Sequence, residues 1–226
     1  MQILRFIQIL INFDKKRRCF VNKLINVFEN IYALIKENKD YLIELDAKFG
    51  DGDLGISMEK GFFSIIEYLK NNKESDLGKV FRNISSVFNE NAPSSLGTII
   101  SFIFIGMAKE LKSKEDMDIY VFAKSYEAGM NNLISKLGTK AGDKTILDSM
   151  IEVVNSMNND IREDKSTVEI LENAYNAAKL GSENTKNMMA VHGRAAYHKE
   201  KTLGLIDGGS YVNKLVFEGI KNSFIE

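Results

Sequence analysis

The 226-residue chain has one cysteine, Cys19, so it contains no internal disulfide framework and no cysteine-rich zinc site. It has two histidines, His192 and His198, which gives little support to a histidine-rich metal site or a Ser/His/Asp triad. One proline, Pro93, and a modest glycine content favour long uninterrupted helices. The net charge is −1, so no global field draws the chain towards nucleic acid or a membrane surface. No apolar run reaches transmembrane length. The most apolar run, Leu96 to Ala108, is too short and carries Gly, Ser and Thr, so it reads as a central buried helix. Hydrophobic residues at 44% and charged residues at 27% describe a globular chain able to bury a core.

What is present is helical periodicity. Leu24, Ile25, Phe28, Ile31, Tyr32 and Ile35 fall on one face of a segment from Leu24 to Asn38. Asp40 to Lys48 reads as a short turn or helix. Comparable apolar stripes mark Ile56–Lys70, Asp76–Glu90, Leu96–Ala108, Ile119–Leu137, a helix from Ile146 with Asp143 as its N-cap, Ser166–Lys179 and Ser210–Ser223. This predicts about eight or nine helices, no strand and one all-α domain. Met1 to Phe13 is apolar and is followed by Asp14-Lys15-Lys16-Arg17-Arg18. That order reverses a signal peptide, so export is not expected. Residues 1–20 are expected to be an extension, with a start near Val21 as one reading and an added helix at a subunit contact as another.

Four loops between helices carry unusual chemistry. The first is Leu45-Asp46-Ala47-Lys48-Phe49-Gly50-Asp51-Gly52-Asp53-Leu54-Gly55. Its three carboxylates are hard ligands suited to hard divalent cations, and glycine between Asp51 and Asp53 lets the backbone turn tightly. A helix start follows at once, where free N–H groups favour phosphate. Together these suggest magnesium holding a nucleotide. Taken alone, the motif is also ordinary turn chemistry. An EF-hand is excluded, because a loop counted from Asp51 puts Ile56 and Phe62 where Gly and Glu are required.

The second loop, Ala92-Pro93-Ser94-Ser95-Leu96-Gly97, reads first as a helix cap and second as a phosphate site. The third is Gly138-Thr139-Lys140-Ala141-Gly142-Asp143-Lys144-Thr145. The fourth runs from Val191-His192-Gly193-Arg194 to Asp207-Gly208-Gly209, and its arginine can meet phosphate as a planar donor. Recurrence between successive helices predicts that all four meet at one end of a bundle.

Order and spacing of these motifs over roughly residues 22 to 225 resemble the dihydroxyacetone kinase L subunit, the DhaL or DAK2 nucleotide-binding domain. The resemblance implies a single-domain barrel of about eight antiparallel helices over residues 21–226, with the nucleotide at one end. It implies that Asp46, Asp51 and Asp53 hold two magnesium ions bridging the phosphates of ADP or ATP. Leu54, Gly55, Ile56 and Ser57 match the segment entering the phosphate site, and Ser94 and Ser95 match a second phosphate loop. Gly138 and Ile146 match positions lining the adenine pocket. Arg194, Asp207, Gly208 and Gly209 match the remaining nucleotide contacts. The second loop is poorer in glycine than is usual in the family, the turn before Gly142 is about one residue shorter, and Gly208 stands where proline is common.

The implied activity is phosphoryl transfer to dihydroxyacetone or a similar small keto sugar. The sugar is held by a separate K subunit, and phosphotransferase-system recharging through an M subunit is one donor scheme. No base or sugar site is evident in this chain, and His192 and His198 match no role. The expected setting is cytoplasmic, with no nucleic-acid or membrane partner and a homodimer as a further assembly. Two other readings are a regulatory module that keeps the fold and a fatty-acid-kinase type; the latter usually has a proline-rich approach to the aspartates and further domains.

Overall fold

The structure is a computed structural model, and residues 21–225 of it are described here. The expectations about residues 1–20 lie outside that range. Among the described residues there are nine α-helices, two short 3-10 helices and no strand. They are α1 (21–37), α2 (Lys39–Ala47), α3 (Leu54–Asn71), α4 (Leu77–Asn91), α5 (Ser95–Glu110), α6 (Ile119–Leu137), α7 (Ile146–Arg162), α8 (Thr167–Asn184) and α9 (Gly208–Ile225). No helix among them is long and apolar enough to cross a membrane.

Local chemistry fixes most boundaries. Asp76, Ser94 and Asp118 accept N–H bonds from the first turns of α4, α5 and α6. Reciprocal capping boxes start α7 (Thr145 with Asp148) and α8 (Ser166 with Glu169). Gly138 ends α6 in the left-handed region, with φ 65°. Asp143 does not cap α7, contrary to expectation. Its carboxylate lies two residues too early and is engaged elsewhere, accepting the Lys140 N–H at 2.8 Å. The segment 39–47 is a full helix, set off from α1 at Asn38. The Asn38 side chain donates to the Leu34 carbonyl (2.9 Å) and accepts from the Tyr211 hydroxyl (2.9 Å).

Consecutive helices pack side by side in an up-and-down order, and α9 returns to α1 and α2 to close the barrel. The run expected to be a central helix, α5, is one stave of the wall between α4 and α6. It is almost wholly apolar because it also faces α3 across the interior. Phe28, Phe62, Phe81, Phe88 and Phe104 meet edge-on or tilted in that interior, a favoured arrangement of ring quadrupoles. A buried polar chain ties the opposite wall. Tyr126 donates to Asn213 (2.7 Å), Asn213 to Ser149 (2.7 Å), and Ser149 to the Ala178 carbonyl (3.2 Å). Every link is satisfied, so these polar groups cost little on burial.

Glycines let the staves approach. A methyl group on Gly106 would lie 2.6 Å from both the Ala128 carbonyl oxygen and the Gly129 Cα of α6, which is backbone and cannot step aside. Gly106→Ala is therefore expected to lower unfolding stability by about 1–3 kcal/mol, the usual range for overpacking. Urea denaturation measures this, and an unchanged midpoint would show that α5 and α6 are not held at this distance.

Candidate functional site

In an up-and-down barrel alternate loops share an end. The α2–α3, α4–α5, α6–α7 and α8–α9 connections meet at one end, as their spacing in the sequence predicts. Direct bonds join them. Arg194 Nη1 lies 2.7 Å from Asp51 Oδ2, and His192 Nε2 lies 2.8 Å from Asp143 Oδ2. Gly208 sits against Leu54 at the start of α3. Gly209 sits against Leu96 at the start of α5 and Ile146 at the start of α7; a methyl group at either glycine would meet these side chains at 2.6 to 3.2 Å. The N-termini of α3, α5, α7 and α9 therefore converge. Each brings first-turn N–H groups that lack intrahelical acceptors and the positive end of a helix dipole.

The aspartate loop is folded by Asp46. Its Oδ2 accepts the N–H groups of Gly52 (2.7 Å) and Asp53 (3.2 Å), and its carbonyl accepts that of Gly50 (2.6 Å). A Cβ on Gly50 would fall 2.4 Å from the Asp46 carboxylate, and Gly52 takes a φ of 72°, so both positions favour glycine. The result brings one carboxylate oxygen from each of Asp46, Asp51 and Asp53 within 4.8 Å of the others. The ligand atoms of a single magnesium ion lie within about 4.2 Å of each other, twice its bond length. The set thus fits a hard divalent cation in ligand chemistry and approximate span. Burial and the charges of Asp51 and Asp46 raise the Asp53 pKa. The hydrogen bond from Arg194 lowers that of Asp51.

Gly55 is pressed against the Lys39 carbonyl at the start of α2, which keeps α2 and the α3 N-terminus together. Leu54 and Ser57 are buried, and the Ser57 hydroxyl donates back to the Leu54 carbonyl (3.2 Å); Ile56 is exposed. Ser94 accepts the Gly97 N–H at 3.1 Å, so its hydroxyl serves as a cap, and Ser95 is exposed in the first turn of α5. Gly138 is exposed with open space around its Cα and needs glycine only as a helix stop. Ile146 is buried at the start of α7 and reaches the barrel interior. His198 stacks on Phe49, with ring centroids 4.7 Å apart.

Lys144 is a residue for which the sequence suggested no role. Its ammonium donates to the carbonyls of Thr185 (2.6 Å) and Leu205, pinning both ends of the long α8–α9 connection to the α6–α7 loop. Burial lowers its pKa, against the pull of Asp207 and Asp148. The sequence signal was the charge between Asp143 and Thr145 in a turn, where a lysine ordinarily points to solvent. Asp148, in the first turn of α7, holds the turn by accepting from the N–H groups of Gly142 (2.5 Å) and Thr145 (2.8 Å).

Asp207 accepts the Ser210 N–H at 2.7 Å and so caps α9. Burial pushes its pKa up to about 6, with Asp148 adding to the rise and the Ser210 bond and Lys144 opposing it. A carboxyl whose folded pKa lies above its unfolded value binds more protons when folded, so it subtracts stability as pH rises from about 4 to about 6. Asp207→Asn keeps an acceptor oxygen and removes the titration. Its stability relative to the native chain is expected to climb over that window, by on the order of 3 kcal/mol, and then level off. Urea titrations at pH 4, 5, 6 and 7 check this; a constant difference would refute it.

A family model for the DAK2 domain matches residues 48–222. The chain is 26% identical over 188 residues to the ADP-binding subunit DhaL of a PEP-dependent dihydroxyacetone kinase from Escherichia coli strain K12, covering 83% of this chain and 90% of that protein. It is 29% identical over 186 residues to the corresponding subunit of kinase 1 from Listeria innocua, covering 82% and 88%. The solved dihydroxyacetone kinase of C. freundii, in complex with AMP-PNP and Mg2+, superposes with a TM-score of 0.68 at 23% identity, over 88% of this chain and 33% of that one. That likeness concerns the fold, and the chain spans about a third of that enzyme's length.

Proposed function

The chain belongs to the DAK2 domain family, and from this premise we propose that residues 21–226 form the nucleotide-binding subunit of a dihydroxyacetone-type kinase. The observation that carries the reading is the three-carboxylate cluster of Asp46, Asp51 and Asp53 beside four converging helix N-termini. A magnesium–nucleotide complex needs both parts: hard anionic ligands for the cation and N–H donors for phosphate.

In this reading Asp46, Asp51 and Asp53 would hold magnesium, two ions in the full arrangement. Bound magnesium supplies charge neutralisation on the phosphates, the main requirement of phosphoryl transfer. Leu54, Gly55, Ile56 and Ser57 present the first turn of α3 to phosphate, and Ser94 and Ser95 present that of α5. Arg194, which pairs with Asp51 in the anionic loop, would meet a phosphate oxygen as a planar donor. Asp207, Gly208 and Gly209 carry the start of α9 to the same point. Gly138 and Ile146 bound the nucleotide on the α6–α7 side.

Two relatives that the chain covers over most of their length are ADP-binding subunits of PEP-dependent kinases. This favours ADP as a retained cofactor, recharged by a phosphotransferase-system M subunit, over ATP that binds and leaves as ADP. The acceptor is dihydroxyacetone or a similar small keto sugar, held by a K subunit that docks over the nucleotide end. The work is proposed to take place in the cytoplasm.

Calorimetric titration of ADP and ATP with and without magnesium tests the reading. Expected is magnesium-dependent binding that prefers ADP, weakened at least a hundredfold, about 2.7 kcal/mol, by Asp51→Ala or Asp53→Ala. Parent-like binding by both variants would remove the aspartates from the site. Phosphoryl transfer to dihydroxyacetone on adding a K subunit, an M subunit and a phosphoryl donor for the M subunit is expected from the parent chain and from neither variant.

A further inference from the structure

The α8–α9 connection leaves the barrel at Thr185 and returns at Asp207. Its two ends are bonded to each other. The Gly204 N–H donates to the Lys186 carbonyl (2.8 Å), the Asp207 N–H to the Thr185 hydroxyl (3.0 Å) and the Ala190 N–H to the Thr202 hydroxyl (3.1 Å). The connection is therefore a loop closed at its neck, with residues 191–201 as its tip. That tip reaches two other loops. Arg194 pairs with Asp51 and His198 stacks on Phe49, both in the aspartate loop; the Val191 N–H and the His192 ring meet Asp143 in the α6–α7 loop.

The neck also receives a charge from outside. The Lys144 ammonium crosses from the α6–α7 loop and donates to the Thr185 carbonyl (2.6 Å) on one side of the neck and to the Leu205 carbonyl on the other. Lys144 is only 7% exposed, and its backbone sits in the left-handed region (φ 59°), where residues with a side chain are uncommon. The turn that imposes this conformation is held by Asp148, through the N–H groups of Gly142 and Thr145. Such strain persists where surrounding contacts over-determine it, and it clusters at functional sites. A lysine left in solvent would need neither the strain nor the loss of water. We propose that Lys144 is a positioning residue: from the neck it fixes the tip of the α8–α9 loop, so that Arg194 is held over the aspartate loop. Its ammonium faces backbone carbonyls, so it acts on a ligand only through Arg194. The proposal rests on the nucleotide reading of that site.

Hydrogen exchange on the full chain, without metal or nucleotide, tests the anchor. In Lys144→Met the amides of residues 188–205 are expected to exchange faster by about tenfold or more, with the barrel helices unchanged. Unchanged exchange in the loop would overturn the proposal, and so would acceleration spread evenly over the helices. Calorimetry of ADP with magnesium in a double-mutant cycle tests the route through Arg194. Arg194→Ala is expected to weaken binding by about tenfold or more in the parent, and by less than about twofold in Lys144→Met, where Arg194 is no longer held in place. Equal factors in the two backgrounds would remove this proposal alone. A parent chain that binds no ADP would remove the nucleotide reading and the proposal with it. Should Lys144→Met fail to fold, Lys144→Gln, which keeps an N–H donor on a shorter stem, replaces it. Loop exchange is then expected to rise by about threefold or more, and unchanged exchange would overturn the proposal.

Discussion

The convergence of four helix N-termini at one end is the constraint on which the rest of this molecule depends. It follows from an even alternation of direction around the barrel. It is possible at this distance because Gly208 and Gly209 leave no side chain between α9 and the starts of α3, α5 and α7. Four positive dipole ends side by side would repel one another without a counter-charge. The three carboxylates of the α2–α3 loop stand beside them, so the two local excesses of charge offset each other. Both remain available to a ligand that carries a cation and an anion together.

The loops that make this end are held by bonds among themselves more than by the core beneath. Asp46 folds its own loop through backbone N–H groups. Lys144 ties two carbonyls of the α8–α9 connection, and Arg194 and His192 tie that connection to the carboxylates of two other loops. A barrel carrying cross-braced loops suits the proposed phosphoryl transfer, in which positioning matters more than a strong protein nucleophile. The same walls enclose an apolar space reaching the opposite end. One closed barrel thus offers a polar end and an apolar interior without a second domain.

The sequence by itself determined the helices and the cluster of carboxylates in the first loop. Caps, helix stops and apolar stripes act within about four residues, so local chemistry is sufficient to reveal them. The Asp-Gly alternation from Gly50 to Asp53 is local in the same sense, and the three aspartates that it predicts as a cluster do lie together. The errors are also local choices that several residues could satisfy. Asp143 and Thr145 both suit an N-cap, and only the reciprocal bond of Asp148 selects Thr145. Asp143 was left for His192, a partner 49 residues away. The apolar run of α5 reads as a central helix, because composition does not distinguish the middle of a bundle from a barrel wall facing an interior.

Tertiary structure alone decided what joins across the chain. The Arg194–Asp51 pair spans 143 positions, and the Lys144 contacts span 41 and 61. No periodicity records such separations. A lysine in a polar turn has the same local signature whether it faces solvent or pins a loop. Likewise, the interior cavity belongs to no single segment: it is what remains when α1 and α3 to α9 close around aromatic side chains too few to fill it. Helices, caps and the carboxylate cluster of one loop are properties of short segments and were legible in the sequence. Convergence, cross-bracing and enclosed volume arise from closing the ring, and they exist only once distant segments have met.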